Sequence, residues 1–468
     1  MTSNGSGRDD SVTGLMRRRG AAFHTALRSL VRGGLPIFLS LLALSAVTTG
    51  AAAQPGDATE VAGLIDAVQR QDRSRVARLI AGGVDINAER ADGSTAIAWA
   101  ALREDVELVT MLLDAGANPD PADENGETPL LLASATGNET VARLLLKAGA
   151  SVDARRWSGD TPLLAAIHGG SIDIVQLLLD RGADLNVVEH RMGHTPLMWA
   201  LARRQPEMAE LLIRRGANVS AVSTNGFRPI HFAAQQADTA SALALIAAGA
   251  RPHVPTADGR TAFLMALAQG SEEMTRLMLD HGADVQERDT NGATPLHRAV
   301  RQGLLELARD FVNLGAVVNA RTETSDEDSG SASRHRGLTP FLTAARSGSV
   351  DMMRMLLAVG ADPTAKTSDD AGAVLLATES RELGAVQLLI RLGLDVNVAP
   401  PVRPTALHTA IRFGDDEIVV YLAAHGADFD ARDHHGRTPL EEAEFEAPTD
   451  TITLMRRLAA ERERTGSQ

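Results

Sequence analysis

Histidine is the side chain of this sequence best suited to catalysis or metal binding near neutral pH. His231, His297 and His408 each stand at the fourth position of a similar segment, "RPIH", "TPLH" or "TALH". General bases or metal ligands would have to converge on one point, yet these residues occupy equivalent positions in separate stretches of the chain. The pattern favours a structural role, in which each imidazole hydrogen-bonds the turn beside it.

One histidine pair, His190 and His194, has the H-x₃-H spacing that could seat a metal ion on a helix. The pair flanks Gly193 in a segment that the neighbouring residues mark as a turn, and no third ligand is evident. The acidic segment Ser325–Gly330 lacks the alternating spacing of an EF-hand loop. A further cluster in a turn region comprises His425, His434 and His435. The sequence therefore predicts no metal site.

Other signatures of chemistry are missing from the sequence. There is no cysteine, which excludes thiolate nucleophiles, disulfides and cysteine-type zinc sites. No phosphate-binding loop, dinucleotide fingerprint or G-x-S-x-G nucleophile elbow occurs. We expect no catalytic residue, no cofactor and no enzyme activity. The formal charge of −14 also disfavours nucleic acid as a partner, because polyanions would be repelled.

The beginning of the chain has the composition of an export signal. A basic stretch at Arg17–Arg19 precedes an apolar run, Leu35–Val47, and small residues follow at Ala51–Ala53. The run has 13 residues, fewer than the roughly 20 that a helix needs to span a bilayer. An uncleaved signal anchor is the alternative. The predicted boundaries are a signal peptide over residues 1–53, with a possible start at Met16, and a short linker over residues 54–60.

A period of 33 residues dominates the rest of the sequence. Segments similar to "TPL" recur in steps of 33 or 34 residues, apart from one step of 45. Each period is too thin to form its own core, so the sequence predicts about twelve stacked units over residues 61–468. The segments begin at Thr95, Thr128, Thr161, Thr195, Arg228, Thr261, Thr294, Thr339, Gly372, Thr405 and Thr438.

The period that begins at Thr128 shows how each unit is built. Threonine before proline is typical of a helix start, because the hydroxyl accepts free N–H groups and proline loses no hydrogen bond there. The short first helix ends at Gly137, and an amphipathic second helix ends at Gly149. Asx-Gly pairs between periods indicate tight turns. The sequence thus predicts an all-α fold of helix–turn–helix units.

The segments "TPLLLASATGNETVARLLLKAGA", "TPLHRAVRQG" and "TALHTAIRFG" resemble the ankyrin repeat. The segment "TPLMWALARR" is similar to a variant common in bacterial ankyrin proteins, and with the export signal it suggests a bacterial, exported type. The resemblance covers essentially the whole chain after the signal. It implies a solenoid that binds partner proteins with its concave face, inner helices and turn tips, and that is not catalytic.

Some residues depart from the regular pattern. Arg228 and Gly372 replace the helix-starting threonine, so we expect looser helix starts there. A polar, Gly/Ser-rich insertion over residues 322–337 lengthens one period and predicts a flexible loop at the turn tips. Polar capping units are expected at both ends of the array. The last period suggests one of them, since it carries Glu441, Glu442 and Glu444 where inner periods have Leu or Ala.

The resemblance also predicts a partner-binding row. The residue four positions after each segment start should face the concave side, and this row is apolar over its first half. Exposed aromatic residues in a line are typical of protein anchors, although Trp99 and Trp199 could instead fill gaps between stacked helices. Two aromatic residues in turn tips, Trp157 and Phe227, extend the surface. The predicted partner-binding residues are Trp99, Leu132, Trp157, Trp199, Phe227, Phe232, Met265 and Arg298.

These features favour one function over several alternatives. We expect a non-catalytic, monomeric adaptor that is exported to a periplasm and binds one or more proteins, with no membrane span after signal cleavage. The acidic composition would favour a partner with a basic rim. The alternatives are a secreted effector that acts on a host protein and a periplasmic accessory of an enzyme or a metal carrier.

Overall fold

The computed structural model describes residues 57–323, 336–400 and 404–466, and they form the all-α repeat fold that the sequence predicts. The β-type pairing found in these ranges is an isolated bridge between Lys366 and Gly372. The signal peptide predicted over residues 1–53 lies outside the described residues. The 24 helices of the described ranges are α1 Asp57–Gln69, α2 Arg73–Ala81, α3 Ala96–Leu102, α4 Val106–Asp114, α5 Pro129–Thr136, α6 Glu139–Lys147, α7 Pro162–Gly169, α8 Ile172–Asp180, α9 Pro196–Ala202, α10 Pro206–Arg214, α11 Pro229–Gln236, α12 Thr239–Ala247, α13 Ala262–Ala268, α14 Glu272–Asp280, α15 Pro295–Gln302, α16 Leu305–Asn313, α17 Pro340–Arg346, α18 Val350–Ala358, α19 Ala373–Glu379, α20 Leu383–Arg391, α21 Ala406–Phe413, α22 Asp416–Ala424, α23 Pro439–Glu446 and α24 Thr449–Gly466.

The chain divides into two compact units. The first unit contains the described residues up to Phe232 together with Ala240–Ala250, and the second contains Ala233–Thr239 and the residues from Arg251 onward. Within each unit the helices pack in pairs. In the first unit, α5 packs against its pair partner α6 and against α7, which is the first helix of the next repeat. Within a unit, an inner first helix such as α5 is therefore buried on both sides by the neighbouring repeats.

Threonine side chains start the first helix of the repeats, as the sequence predicts. In the first unit, Thr95 Oγ1 accepts a hydrogen bond from the N–H of Ala98 at 3.4 Å, and Thr128 Oγ1 accepts one from Leu131 at 3.3 Å. At Gly372 the same extended backbone starts α19 without a side-chain cap. At Arg228 the backbone N–H donates instead to His231 Nδ1 at 2.9 Å. The helix start thus lacks a side-chain cap at Gly372, whereas at Arg228 the imidazole of His231 accepts the backbone N–H.

The second helices have caps of their own, which the sequence analysis did not identify. Asp105 accepts from the N–H of Leu108 at 3.0 Å, and Asn138 accepts from the N–H of Val141 at 3.0 Å. In the next repeat Ser171 has the same role at the start of α8. Each side chain accepts a hydrogen bond from an N–H group in the first turn of a nine-residue helix, which otherwise has no acceptor within the helix.

The turn tips, the loops just before each first helix, are closed and joined by backbone hydrogen bonds. The N–H of Arg156 donates to the carbonyl of Asp160 within one tip at 3.1 Å. Between neighbouring tips of the first unit, the N–H of Trp157 donates to the carbonyl of Asn125 at 2.9 Å. The N–H of His190 likewise donates to the carbonyl of Ser158 at 3.0 Å. These bonds hold consecutive tips in a defined register.

Side-chain amides connect the opposite edge of the repeats, after each second helix. In the first unit, Asn87 Oδ1 accepts the N–H of Asn118 at 2.7 Å, and Asn186 Oδ1 accepts the N–H of Asn218 at 2.8 Å. In the second unit, Asn397 Oδ1 accepts the N–H of Asp428 at 2.8 Å. The repeats are thus held together by polar groups at both edges and by aliphatic side chains between them.

Two predicted boundaries, the linker before the repeats and the insertion, can be compared with the structure. Helix α1 begins at Asp57, so residues 57–60, predicted as linker, belong to the first repeat; Ala58 and Glu60 are good helix formers, which explains the earlier start. The insertion does begin at a turn tip, because Thr322 and Leu338 exchange two hydrogen bonds of 3.0 Å across its base. Its residues 324–335 lie outside the described ranges.

The three glutamates of the last repeat have three different environments. Glu442 is only 3% exposed and pairs with Arg437 Nη2 at 2.9 Å. Glu441 caps α23 by accepting the N–H of Thr438, and Glu444 pairs with Arg456 on α24. Helix α24 has 18 residues, twice the length of the second helices before it. The final repeat is therefore closed by a long helix as well as by acidic residues.

Asp105 joins two repeats by a buried charge. Its side chain is 1% exposed, and both carboxylate oxygens accept hydrogen bonds from Arg73 Nη2 at 3.1 Å while Oδ1 also caps α4. The exposed Asp72 offers a natural comparison, because it makes the same cap bond, to Arg75, at 2.9 Å. No carboxylate–guanidinium hydrogen bond accompanies that cap in the described residues.

We predict that Asp105→Ala lowers the free energy of unfolding of the first unit by about 2 kcal/mol, since it removes the cap of α4 and the hydrogen bonds from Arg73, whose guanidinium keeps only Glu107 as a partner. Asp72→Ala should cost about 1 kcal/mol or less. All three tryptophans lie in the first unit, so urea unfolding followed by tryptophan fluorescence reports on that unit. Equal losses in the two variants would contradict the inter-repeat role of Asp105.

Glu127 is a buried carboxyl at the base of a turn tip. It is 3% exposed, and its nearest cation is Arg156 of the next repeat, with Nη2 3.3 Å from Oε1. Burial raises the pKa of Glu127 to about 7, because the loss of hydration outweighs the attraction of Arg156. Repulsion from Asp123 and Asp160 acts in the same direction as burial. Arg156 is a weak counter-ion here, since it also lies 3.9 Å from Asp160.

We predict that the first unit loses stability as the pH rises from about 5 to about 8. A carboxyl whose folded pKa is raised contributes stability that is complete below its unfolded pKa, near 4.5, and is lost as the pH passes about 7. Over this pH range the parent should lose about 3 kcal/mol more unfolding free energy than Glu127→Gln does. Urea unfolding of both proteins across this range measures it. Parallel pH profiles would show that Glu127 does not titrate near neutral pH.

Candidate protein-binding surface

Three residues of the predicted row are buried. Leu132, Phe232 and Met265 are 1%, 7% and 6% exposed, so the prediction that they form an exposed line is wrong. Leu132 shows the reason, because it packs on the small Ala98 of the preceding repeat together with Leu102. A large side chain at this position fills the space that a small one leaves on the neighbouring first helix.

Trp199 belongs to a ring cluster between repeats of the first unit. Its indole meets His168 and His194 edge-on, with ring centroids 4.6 and 5.2 Å apart. His194 also meets Phe232 at 5.2 Å, and Phe227 lies 5.5 Å from Phe232. The half-buried Trp199 is therefore in contact on two sides, which favours the packing alternative for this residue.

The imidazoles of this cluster are poor candidates for acid–base chemistry. Burial lowers the pKa of both His168 and His194, which keeps the rings neutral against the indole. His168 Nε2, His194 Nδ1 and Trp199 Nε1 are buried, and none of them has a hydrogen-bond partner among the described residues. No local sequence pattern associates His168 with Trp199, because the end of one helix meets the next repeat only in the folded stack.

Trp157 is the predicted site residue whose side chain is mostly exposed to solvent. It is 68% exposed at the end of a turn tip, and its backbone is held from both sides: its N–H donates to Asn125, and its carbonyl lies 3.3 Å from His190 Nδ1. The imidazole of His190 covers Gly159, where an added Cβ would come within 2.7 Å of the ring. The indole is thus an exposed apolar group on a rigid support.

The side chains of the remaining predicted residues are half-buried or make contacts within the protein. Arg298 in the second unit donates to Asp289 at 2.7 and 3.1 Å, and that carboxylate is only 7% exposed. Trp99 is half-buried in α3, and Phe227 is half-buried beside His231 at 5.8 Å. Of the predicted set, Trp157 combines a largely exposed side chain with a hydrogen-bonded backbone.

The histidines of the helix starts have the structural role that the sequence predicts. His297 Nδ1 accepts the N–H of Thr294 at 3.2 Å, and Nε2 lies 3.0 Å from the carbonyl of Leu338. His408 makes the same pair of contacts with Thr405 at 3.3 Å and Arg437 at 3.0 Å. An acceptor at Nδ1 and a donor at Nε2 define one neutral tautomer. Each ring therefore connects its own helix start to the next repeat.

Neither a metal cluster nor a membrane helix is found in the described ranges. No group of three or more His, Asp or Glu side chains there could hold a metal ion. His190 is exposed over Gly159, whereas His194 is 7% exposed in the ring cluster. None of the helices within residues 57–466 that the structure describes is long and apolar enough to cross a bilayer.

We predict that Trp199 and Trp157 respond differently to truncation. Trp199→Ala removes the centre of the ring cluster and should cost about 2 kcal/mol or more in unfolding free energy. Trp157→Ala removes a largely hydrated side chain and should stay within about 0.5 kcal/mol of the parent. Urea unfolding followed by the remaining tryptophans measures both. A larger loss for Trp157→Ala would show that its indole is a packing element.

Sequence comparison finds local relatives of this chain. It is 37% identical over 107 residues to the B-cell lymphoma 3 protein homolog of Mus musculus, a match that covers 22% of this chain and 24% of that protein. It is 33% identical over 117 residues to cyclin-dependent kinase 4 inhibitor B of Homo sapiens, which covers 24% of this chain and 83% of the inhibitor. Several relatives are much longer than their matched region. A cation channel homolog of Caenorhabditis elegans, 36% identical, is matched over only 8% of its length.

One solved structure aligns with part of this chain, and two family models match most of it. The ankyrin repeat domain of Bcl-3 aligns with 46% of this chain and 97% of its own length, at 28% identity and a TM-score of 0.42. The model described as ankyrin repeats in three copies matches residues 64–156, 153–223, 230–322 and 374–459, and the single ankyrin repeat model matches residues 336–368. Together these matches cover most of the sequence, and the chain belongs to the ankyrin-repeat family.

Proposed function

We propose that this protein is a non-catalytic adaptor that binds a partner protein with the turn tips of its first unit. The observation that carries the proposal is the 68% exposed Trp157 on tips whose backbones are hydrogen-bonded to each other. A rigid aromatic side chain can bury a large apolar area while losing little conformational entropy on binding. The family supports the same type of function, since ankyrin repeats act as protein-interaction scaffolds.

The buried row limits where the partner can bind. Leu132 and Phe232 have almost no surface left to offer, so contacts on the helix face must come from half-buried residues such as Trp99 and Trp199. On the tips, by contrast, Trp157, Arg155 and Arg191 have exposed side chains. We therefore place the main anchor at Trp157 and assign the ring cluster a supporting role.

The proposal includes location and assembly. The basic and apolar pattern over residues 1–53 supports export to a periplasm or to the medium, with a signal-anchored form as the alternative. In the medium the same surface would serve a secreted effector that acts on a host protein. Fractionation of the native cells distinguishes these cases, and gel filtration with light scattering tests the proposed monomer.

Partner capture at the tip tests the function directly. We predict that a photo-crosslinking phenylalanine analogue at position 157 traps a defined partner in native cells. We also predict that Trp157→Ala weakens binding of that purified partner by about 30-fold, equivalent to about 2 kcal/mol. Phe445→Ala in the second unit is the matched control, since Phe445 is 69% exposed. Equal affinity of the parent and Trp157→Ala for the trapped partner would refute the proposed anchor.

A further inference from the structure

We propose that the turn tips around Trp157 bind an acidic segment of the partner protein, with an apolar side chain of that segment over the indole. This inference rests on the proposed function and names the chemistry of the partner. It opposes the expectation from net charge. The chain has a formal charge of −14, which by itself would favour a basic partner, but the charge at these tips is distributed differently.

On the tip of Trp157, Asp160 is half-buried, accepts a hydrogen bond from Ser158 Oγ at 2.9 Å and lies 3.9 Å from Arg156. The carboxyls of Glu189 on the following tip and Glu127 on the preceding tip are buried. Glu189 is 6% exposed and accepts the N–H groups of Arg191 at 2.6 Å, Met192 at 2.7 Å and His194 at 3.2 Å. Glu127 is buried, and burial raises its pKa to about 7, so it carries only part of a charge at neutral pH. Backbone N–H dipoles offset part of the charge of Glu189, and burial keeps the carboxyls of Glu189 and Glu127 from direct contact with a partner.

The cations at the same tips point outward. Arg155 and Arg191 are exposed, and neither has a carboxylate within salt-bridge distance among the described residues. Arg155 precedes Trp157 by two residues, and Arg191 follows His190, whose N–H is bonded to the neighbouring tip. Two guanidinium groups without acidic partners thus flank one exposed indole. Guanidinium groups pair with carboxylates in a bidentate geometry, and aromatic side chains bind apolar ones.

The neighbouring tips define the extent of this surface. The preceding tip carries the exposed Glu124, and the following tip carries the uncharged Thr224 and Asn225. A partner segment with acidic residues would be attracted at Arg155 and Arg191 and repelled at Glu124, which sets its position along the row of tips. Nucleic acid fits less well, because its regular phosphates would meet Glu124 and the acidic field of the whole chain.

Charge-matched peptides test this inference with the full-length protein. Three pools of fluorescein-labelled peptides of about 12 residues share an apolar centre. Their flanks are Asp/Glu, Lys/Arg or Ser/Gly, and fluorescence polarisation measures binding of each pool and of a labelled oligothymidylate of similar length. We expect the acidic pool to bind at least about tenfold more tightly than the neutral pool. The basic pool and the oligonucleotide should bind more weakly than the acidic pool.

Two double variants locate the effect. Arg155→Glu/Arg191→Glu should weaken binding of the acidic pool by about tenfold or more, whereas Arg78→Glu/Arg181→Glu should leave it unchanged. The second pair has the same charge change at exposed arginines that lie on second helices or at their ends. With the parent protein, raising NaCl from about 50 to about 300 mM should weaken the acidic pool several-fold. The salt measurement does not depend on the folding of any variant.

The outcomes separate this inference from the proposed function. Tighter binding of the basic pool or of the oligonucleotide, equal effects of the two double variants, or no binding of any pool would overturn the acidic-segment inference. If position 157 still traps a protein partner in those cases, the tip is confirmed as a binding surface and only its charge preference is wrong. If no partner is trapped either, the proposed function fails as well.

Discussion

The structure depends on one constraint: a pair of helices of seven to nine residues cannot bury its own apolar side chains. In the first unit, α5 lies between its pair partner and the first helices of the neighbouring repeats, and Leu130, Leu131 and Ala133 on it are completely buried. Each repeat thus completes the core of the next. The small side chains of the sequence suit this arrangement, because first helices approach closely; a Cβ added at Gly169 would come within 2.8 Å of the Ala135 carbonyl.

Polar groups determine how the repeats are aligned. Apolar contacts between short helices are not directional, and they would tolerate sliding. The bonds between tips, the Asn87–Asn118 contact at the opposite edge and the His297–Leu338 contact require one alignment of neighbouring repeats. Asp105 and Glu127 add ionisable groups to the same inter-repeat positions. Ionisable side chains buried between repeats therefore affect the stability of the stack, and through Glu127 they make it depend on pH.

The same stacking explains where a partner can be bound. Positions that face the neighbouring repeat are used for packing, as Leu132 and the ring cluster around Trp199 show. On the tips, the side chains of Trp157, Arg155 and Arg191 are exposed while the tip backbones are held by hydrogen bonds. Trp157 and the adjacent arginines thus occupy the part of the repeat that can vary without affecting the core. This separation is common where a rigid scaffold carries binding loops.

The 33-residue period could be recognised directly in the sequence, and the threonine caps and the histidine Nδ1 contacts could be predicted because both join groups three residues apart. Side-chain exposure could not, since it depends on residues about 33 positions away in the next repeat. Leu132 and Trp157 are both apolar residues of the predicted surface, yet one fills a gap beside Ala98 and the other meets water. The raised pKa of Glu127 likewise follows from burial and from its position relative to Arg156. Local hydrogen bonding, which the sequence determines, produces the repeat. The stacking of repeats, which only the tertiary structure shows, decides which side chains remain exposed for binding.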